Sequence, residues 1–213
     1  MSTVITSIDR RSPAERAGVR TGEKLISIGG HPVEDVLDYR FFGYDGDPEL
    51  VLESPAGHRR TLRVPKEEGD DLGLNFDTYL MDEPRPCSNF CLFCFVDQMA
   101  PGCRETLYFK DDDARLSFLM GNYITLTNLS DREAQRIIDL RISPINVSVH
   151  ATDPKLRCTL LGNKRADKSL ELMRRFGQAG IVMNGQIALC PEFNDGAQLQ
   201  RTMEDMAAWG FAS

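Results

Sequence analysis

The segment Cys87-Ser88-Asn89-Phe90-Cys91-Leu92-Phe93-Cys94 carries the most specific pattern in the sequence. Its cysteines are spaced C-x-x-x-C-x-x-C, and they are three of the six cysteines in this chain of 213 residues. Cysteine thiolates are the usual protein ligands of iron–sulfur clusters, so three thiolates this close together can hold three irons of a cubic four-iron cluster. The fourth iron would then stay open to a substrate or cofactor, as one position of a catalytic zinc stays open.

A structural zinc site is the alternative for these cysteines. Zinc prefers four ligands, commonly in two C-x-x-C pairs, and Cys103 could supply a fourth thiolate if it is not simply a loop thiol. Cys158 is expected to be a passive, partly buried thiol. Cys190 follows a predicted strand, and α/β proteins bind ligands at that end of a sheet, so a position near substrate is open to it. Cysteines this few and this unevenly placed favour a reducing, cytoplasmic compartment over a disulfide framework.

The composition is that of a globular protein. Hydrophobic residues make up 41% of the chain and charged residues 27%, and the formal net charge is −7. This negative charge argues against non-specific binding of the protein to nucleic acid. The longest apolar run, 90–96, is far shorter than the roughly 20 residues that a membrane helix needs, so no membrane segment is predicted.

Strands and helices alternate in the second half of the sequence. The capping box Ser130-Asp131-Arg132-Glu133 opens one helix, and apolar residues follow it at helical spacing. The predicted strands are 123–127, 145–149, 181–182 and 186–189, and the other predicted helices are 166–179 and 198–209. Alternation of this kind predicts βαβ units around a parallel sheet, which is an α/β fold.

The first half has the pattern of a small α+β module. Its most specific stretches are Ser12-Pro13-Ala14-Glu15-Arg16-Ala17-Gly18-Val19 and Gly22-Glu23-Lys24-Leu25-Ile26, followed by Ile28-Gly29-Gly30. These residues resemble a PDZ domain of the bacterial type, which we place at 1–66. PDZ domains bind an extended peptide as an added strand, so the resemblance implies a peptide or protein partner. A docking module packed on its neighbour is the open alternative. A charged, glycine-containing linker and entry strand region is predicted at 67–80.

The cysteine spacing, with the aromatic Phe93 before the third cysteine, resembles that of the radical S-adenosylmethionine (radical SAM) enzymes. The resemblance implies a full or partial βα barrel in which Cys87, Cys91 and Cys94 bind a [4Fe-4S] cluster. The open iron would chelate the amino and carboxylate groups of SAM, and reduction would release methionine and a 5′-deoxyadenosyl radical. An electron donor is then required.

Further motifs extend this resemblance over nearly the whole chain. They are 95–99, 107–113, 115–118, 121–128, 148–154 and 186–191. Together with the PDZ-like start, they resemble the family catalogued as domain of unknown function 512. That family joins a PDZ-like domain, a radical-SAM-like domain and a C-terminal domain. The resemblance therefore implies an incomplete radical-SAM-like domain at 81–213, a partial barrel, and possible completion by a separate C-terminal chain.

Five polar residues at predicted strand ends are candidates for binding SAM. By position, Thr125, Thr127, Asn128 and Ser148 resemble the places where radical SAM enzymes bind the amino acid and ribose parts of SAM. His150 could contact SAM or substrate, act as an acid–base group, or serve as a structural histidine.

Two functions follow as hypotheses. The first is a cytoplasmic radical-SAM-type iron–sulfur protein with an unknown substrate. The second is a non-enzymatic metal- or cluster-binding adaptor, or an inactive fragment, whose PDZ-like half recruits a partner.

Overall fold

The computed structural model describes residues 3–212, and these divide into two compact units between Pro84 and Arg85. The first unit extends beyond the predicted PDZ-like boundary at residue 66. The reason is that residues 74–76 form a strand that pairs with the N-terminal strand of the same unit. Leu72, Leu74 and Leu80 are also buried in this unit.

The first unit contains two antiparallel sheets and two short helices. Its elements are β1 (Ile5–Ile8), α1 (Pro13–Ala17), β2 (Lys24–Ile28), β3 (His31–Pro32), α2 (Val36–Phe42), β4 (Glu49–Glu53), β5 (Arg59–Arg63) and β6 (Leu74–Phe76). One sheet has the order β3-β2-β4-β5, and the other pairs β1 with β6. Leu25, Ile28, Leu50 and Leu52 of the larger sheet are fully buried and form the core.

Helix α1 is capped at both ends. The Ser12 hydroxyl accepts a hydrogen bond from the Glu15 backbone amide at 3.1 Å, and Pro13 stands in the first turn. Gly18 ends the helix in the left-handed region at a φ of 82°, where glycine is favoured because it has no Cβ. A side-chain hydrogen bond therefore caps the N-terminus of this helix, and a left-handed glycine caps its C-terminus.

The second unit places helices around a small parallel sheet. Its elements are a 3-10 turn (Glu105–Tyr108), α3 (Ala114–Met120), α4 (Asp131–Asp139), β7 (Ile145–Ser148), α5 (Pro154–Leu160), α6 (Lys168–Gln178), β8 (Met183–Gln186) and α7 (Gly196–Ala208). β7 and β8 are parallel, with Ile145 opposite Met183. Single parallel bridges extend the sheet from Ile124 to Val147 on one side and from Met183 to Phe211 on the other. The α/β class and the parallel pairing are thus present, whereas closure into a partial barrel is not shown by these elements.

The predicted strand at 123–127 is reduced to the single bridge at Ile124. Leu126 adopts a φ of +62°, which interrupts an extended strand. The Thr125 backbone amide donates to the Asp112 carboxylate at 2.6 Å instead of joining a strand ladder. A side chain has therefore replaced the sheet as the partner of this backbone.

The capping box of α4 is confirmed, since Ser130 and Glu133 make both reciprocal hydrogen bonds. None of the helices within residues 3–212 has the length and apolar character needed to cross a membrane.

Candidate metal centre

Cys87, Cys91 and Cys94 lie half-buried on one loop, which we call the cysteine loop (87–94). Backbone hydrogen bonds fix this loop to other parts of the second unit. The Cys87 amide donates to the Lys110 carbonyl at 2.6 Å. The amides of Phe90 and Leu92 donate to the carbonyls of Leu161 and Leu160, each at 2.9 Å, where α5 ends.

Gly162 allows the cysteine loop to approach the end of α5. Its φ is +57°, and an added Cβ would lie 2.2 Å from the Phe90 carbonyl oxygen. Real Cβ atoms do not approach backbone so closely, so a side chain at this position would displace the loop. The glycine is therefore part of the site although it carries no functional group.

The thiols of the loop influence each other electrostatically. Burial raises the pKa of Cys91 to about 12, and the negative charges of Cys87 and Cys94 add to this rise, while Lys110 opposes it. Burial also raises the pKa of Cys87, which hydrogen bonds from Asn89 partly offset. Metal ions bind thiolates, so uptake of a metal here must release protons.

The donor set fits an iron–sulfur cluster in its chemistry, because soft thiolates on a short loop are the usual ligands. Among the described residues, however, no three His, Cys, Asp or Glu side chains are arranged so that they could hold a metal ion.

Asn89 lies inside the cysteine motif and is almost fully buried. Its side-chain nitrogen lies 2.9 Å from the hydroxyl oxygens of both Thr125 and Thr127, and 3.3 Å from the Cys87 sulfur. Its side-chain oxygen accepts from Asn163 at 2.7 Å and from the Thr127 hydroxyl at 3.0 Å. The residue thus links the cysteine loop to two distant segments of the chain.

Asp112 supports the far side of this network. Its carboxylate accepts from the backbone amide and the hydroxyl of Thr125, each at 2.6 Å. Burial raises the pKa of Asp112, and the hydrogen bonds from Thr125 partly offset the rise. The acidic run 111–113 would be expected to lie in solvent, whereas Asp112 and Asp113 are both buried.

Lys110 places a positive charge beside the loop. Its ammonium donates to the Asn89 carbonyl at 2.9 Å and to both Asp97 carboxylate oxygens at 2.9 and 3.0 Å. It also lies 5.1 Å from the centre of the Phe90 ring. Burial lowers the pKa of Lys110, but the bond to Asp97 outweighs that effect and raises it. The group therefore remains a cation at neutral pH.

His150 and Phe93 are brought together, with ring centres 4.5 Å apart in an edge-to-face arrangement. Nδ1 of His150 accepts a hydrogen bond from the Ala188 amide at 3.0 Å, which leaves the proton on Nε2. Burial, followed by the charge of Arg157, lowers the pKa of His150 to about 3. The imidazole is therefore neutral at pH 7, which argues against the acid–base role among the hypotheses for this residue.

Arg157 is a fully buried cation that sequence reasoning missed. Its guanidinium donates to the carbonyls of Thr125 at 2.9 Å and Ser148 at 3.1 Å, and also to the carbonyl of Val149. Burial lowers its pKa to about 10, so it stays charged at neutral pH. The residue joins the two segments that carry most of the predicted SAM-binding residues. The residues around Arg157 in the sequence give no sign that its side chain is buried.

The remaining predicted residues are spread around this network. Asn128 donates to the Pro86 carbonyl at 3.3 Å, and Ser148 ends β7. Cys190 lies near His150, because the side chain of Asn194 contacts both residues. The Asn194 nitrogen donates to the His150 carbonyl, and the Asn194 oxygen accepts from the Cys190 amide. Cys103 is exposed, and no fourth zinc ligand is assembled around it within the described part of the chain.

Two family models match the chain. A radical SAM-like domain matches residues 66–211, and a PDZ domain matches residues 4–54. These matches agree with the predicted order of a PDZ-like module followed by a radical-SAM-like domain, while membership of the domain of unknown function 512 stays a prediction. No curated protein matches the chain. Because the first of these matches covers more than half of the sequence, this chain belongs to the radical SAM-like domain family.

Proposed function

We propose that the second unit binds a [4Fe-4S] cluster through Cys87, Cys91 and Cys94 and binds SAM beside it. The observation that carries this proposal is the C-x-x-x-C-x-x-C loop inside the residues that match the radical SAM-like domain. Its three thiols are close enough that the charges of Cys87 and Cys94 raise the pKa of Cys91. The proposal includes a cytoplasmic location, an external electron donor and a substrate that is not identified.

A bound cluster would supply an electron that cleaves SAM reductively to methionine and a 5′-deoxyadenosyl radical. The residues of this chain contribute binding, orientation and exclusion of water. The three thiols hold the cluster, and the cation of Lys110 beside them offsets negative charge on the loop. The hydroxyls of Thr125 and Thr127, with Asn128, Ser148 and His150, offer polar groups for SAM. Phe93, packed against His150, covers one side of the loop.

Metal analysis combined with SAM cleavage tests this function. The chain is purified without oxygen and reconstituted, and its iron, sulfide and zinc contents are measured. It is then reduced with dithionite and SAM, and 5′-deoxyadenosine is quantified. We expect about four irons per chain and release of 5′-deoxyadenosine by the wild type.

The matched variants are Cys87→Ala, which removes a motif thiol, and Cys103→Ala, which removes an exposed thiol outside the motif. We expect the first to lose iron and cleavage and the second to keep both. Zinc in place of iron, or equal loss in both variants, would contradict the assignment.

A second candidate function rests on the outer edge of β6. The Leu74 amide donates to the Tyr39 hydroxyl of α2 at 3.3 Å, so this residue's backbone faces α2 rather than β1. Because backbone direction alternates along a strand, Phe76 faces the same side. A cavity of about 220 Å³ between α2 and β6 is lined by Val36, Tyr39, Leu74 and Phe76, among others. We propose that an extended peptide adds to β6 at this edge, in the manner of PDZ domains.

Amide exchange in a peptide complex tests this second function. Peptides are selected from a random displayed library on the full chain, and hydrogen exchange is then compared with and without the selected peptide. We expect new protection at Phe76 and unchanged peptide affinity in Cys87→Ala. Failure to select a peptide, or protection confined to residues outside α2 and β6, would contradict the proposal.

A further inference from the structure

The residues that stand between the cysteines of the motif differ in their exposure to solvent. Phe90 and Leu92 point largely to solvent, whereas Asn89 is 1% exposed. A buried carboxamide must find hydrogen-bond partners, because an unpaired polar group loses the stabilisation it had in water. Asn89 finds them on two segments that are remote in the sequence, at Thr125 and Thr127 on one and at Asn163 on the other.

One of the contacts of Asn89 is made to a proposed cluster ligand. Its side-chain nitrogen carries two hydrogens and lies 3.3 Å from the Cys87 sulfur, within the range of an N–H···S hydrogen bond. Hydrogen bonds to ligand sulfurs stabilise the more negative, reduced state of an iron–sulfur cluster and so raise its reduction potential. The other contacts of Asn89 keep its side chain from turning away.

We propose that Asn89 is the positioning residue of the cysteine loop. It anchors the loop to the threonine pair and Asn163, and it donates a hydrogen bond to the Cys87 sulfur that raises the reduction potential of the bound cluster. The second part rests on the proposed function, because it needs a cluster on Cys87. The first part concerns the chain alone and can be tested without iron.

Amide exchange in the cluster-free full chain tests the anchoring. The amides of Phe90 and Leu92, which bond to Leu161 and Leu160, report whether the loop is held. In Asn89→Ala we expect both to exchange about tenfold faster, as the loss of roughly one to two net hydrogen bonds implies. Unchanged exchange would overturn the proposal. If Asn89→Ala does not fold, Thr127→Val removes one partner and is expected to accelerate the same two amides less strongly.

An EPR-monitored redox titration of the reconstituted chain tests the hydrogen bond to sulfur. Asn89→Ala is expected to shift the midpoint potential to a more negative value at unchanged iron content. Asn163→Ala is the matched control, because it removes a hydrogen bond to the Asn89 oxygen and keeps the Asn89 donor to Cys87. It should speed amide exchange and shift the potential less than Asn89→Ala does. Equal shifts in both variants, or none in Asn89→Ala, would overturn this part.

The proposed function and the role proposed for Asn89 can fail separately. A wild-type chain that takes up no iron would contradict the proposed function and the effect on potential, while amide exchange would still decide the anchoring. A chain that binds its cluster and cleaves SAM, yet shows no effect of Asn89→Ala on exchange or potential, would refute the role of Asn89 alone.

Discussion

Two arginines, one in each unit of the chain, lie in different surroundings. In the first unit, Arg60 pairs with Glu23 at 2.7 Å, and the arginine side chain remains 38% exposed. In the second unit, Arg157 is fully buried and donates to backbone carbonyls at the ends of two segments. Surface pairs add little to stability, whereas a buried cation that satisfies several carbonyls cannot be removed without leaving them unpaired. The comparison indicates that removing Arg157 costs more stability than removing Arg60.

Replacing Arg157 should have the largest effect on stability. Arg157→Met keeps much of the side-chain volume but leaves the carbonyls of Thr125, Ser148 and Val149 without their donor. We expect the second unit to lose about 4 kcal/mol of unfolding free energy. Urea unfolding followed by the fluorescence of Trp209, the only tryptophan and a residue of this unit, measures the loss. A change below about 1 kcal/mol would mean that water replaces the guanidinium and that the buried network is not essential.

Gly162→Ala should destabilise the same unit by about 3 kcal/mol, because the new Cβ meets the Phe90 carbonyl at 2.2 Å and the φ is positive. Gly180→Ala is the matched control, since Gly180 has a φ of +75° with open space where a Cβ would stand. The same unfolding measurement applies to both. Equal losses in the two variants would show that backbone strain alone, and not the approach of the cysteine loop, sets the cost.

The buried imidazole of His150 makes the stability of the second unit depend on pH. The pKa of His150 is about 3 in the folded chain, against an ordinary value of 6.5. Between these values the unfolded chain binds more protons, so stability falls as the pH drops through this window. From pH 7 to pH 5 we expect a loss of about 2 kcal/mol.

Trp209 fluorescence during urea unfolding at each pH checks this loss. His150→Asn should be insensitive to pH over that interval, whereas His58→Asn, at an exposed turn, should behave like the wild type. A wild type with the same stability at both values would contradict a buried neutral imidazole.

The smallest effect is expected for Arg60→Met in the first unit. Its ion pair with Glu23 is partly solvated, so we expect a loss below about 1 kcal/mol. Amide exchange of β4, which belongs to the larger sheet of this unit, measures it. A loss comparable with that of Arg157→Met would remove the contrast between the units.

Local sequence rules predicted the parts of the fold that depend on neighbouring residues. The caps of α1 and α4 follow from Ser12, Gly18 and the Ser130–Glu133 pair, each acting within a few residues. The parallel pairing of β7 with β8 follows from the alternation of strands and helices. These features need no knowledge of distant contacts.

Parts of the fold that depend on distant contacts could not be predicted. The strand expected at 123–127 is interrupted because Asp112, 13 residues away in sequence, takes the Thr125 amide. β6 falls within the predicted linker and entry strand region at 67–80, and its pairing could not be predicted because its partner, β1, stands at the other end of the unit.

The candidate site shows the same division. The spacing of Cys87, Cys91 and Cys94 predicts that they are cluster ligands, which stays a prediction, and the strand pattern placed His150 and Thr125 near strand ends. It did not identify Asn89 or Arg157, because an asparagine inside a motif and an arginine on a polar helix carry no signal of burial. Their burial depends on hydrogen bonds to partners between 8 and 74 residues away, although Asn89 also contacts Cys87, two residues away.

The central claim is that three cysteines of this chain hold a cluster with an iron open to SAM. The most direct measurement is the EPR spectrum of the reduced, anaerobically reconstituted chain, recorded with and without SAM. We predict the signal of a [4Fe-4S]⁺ cluster whose shape changes when SAM is added. A cluster signal that is the same with and without SAM, or a chain that carries zinc and gives no signal, would contradict the claim.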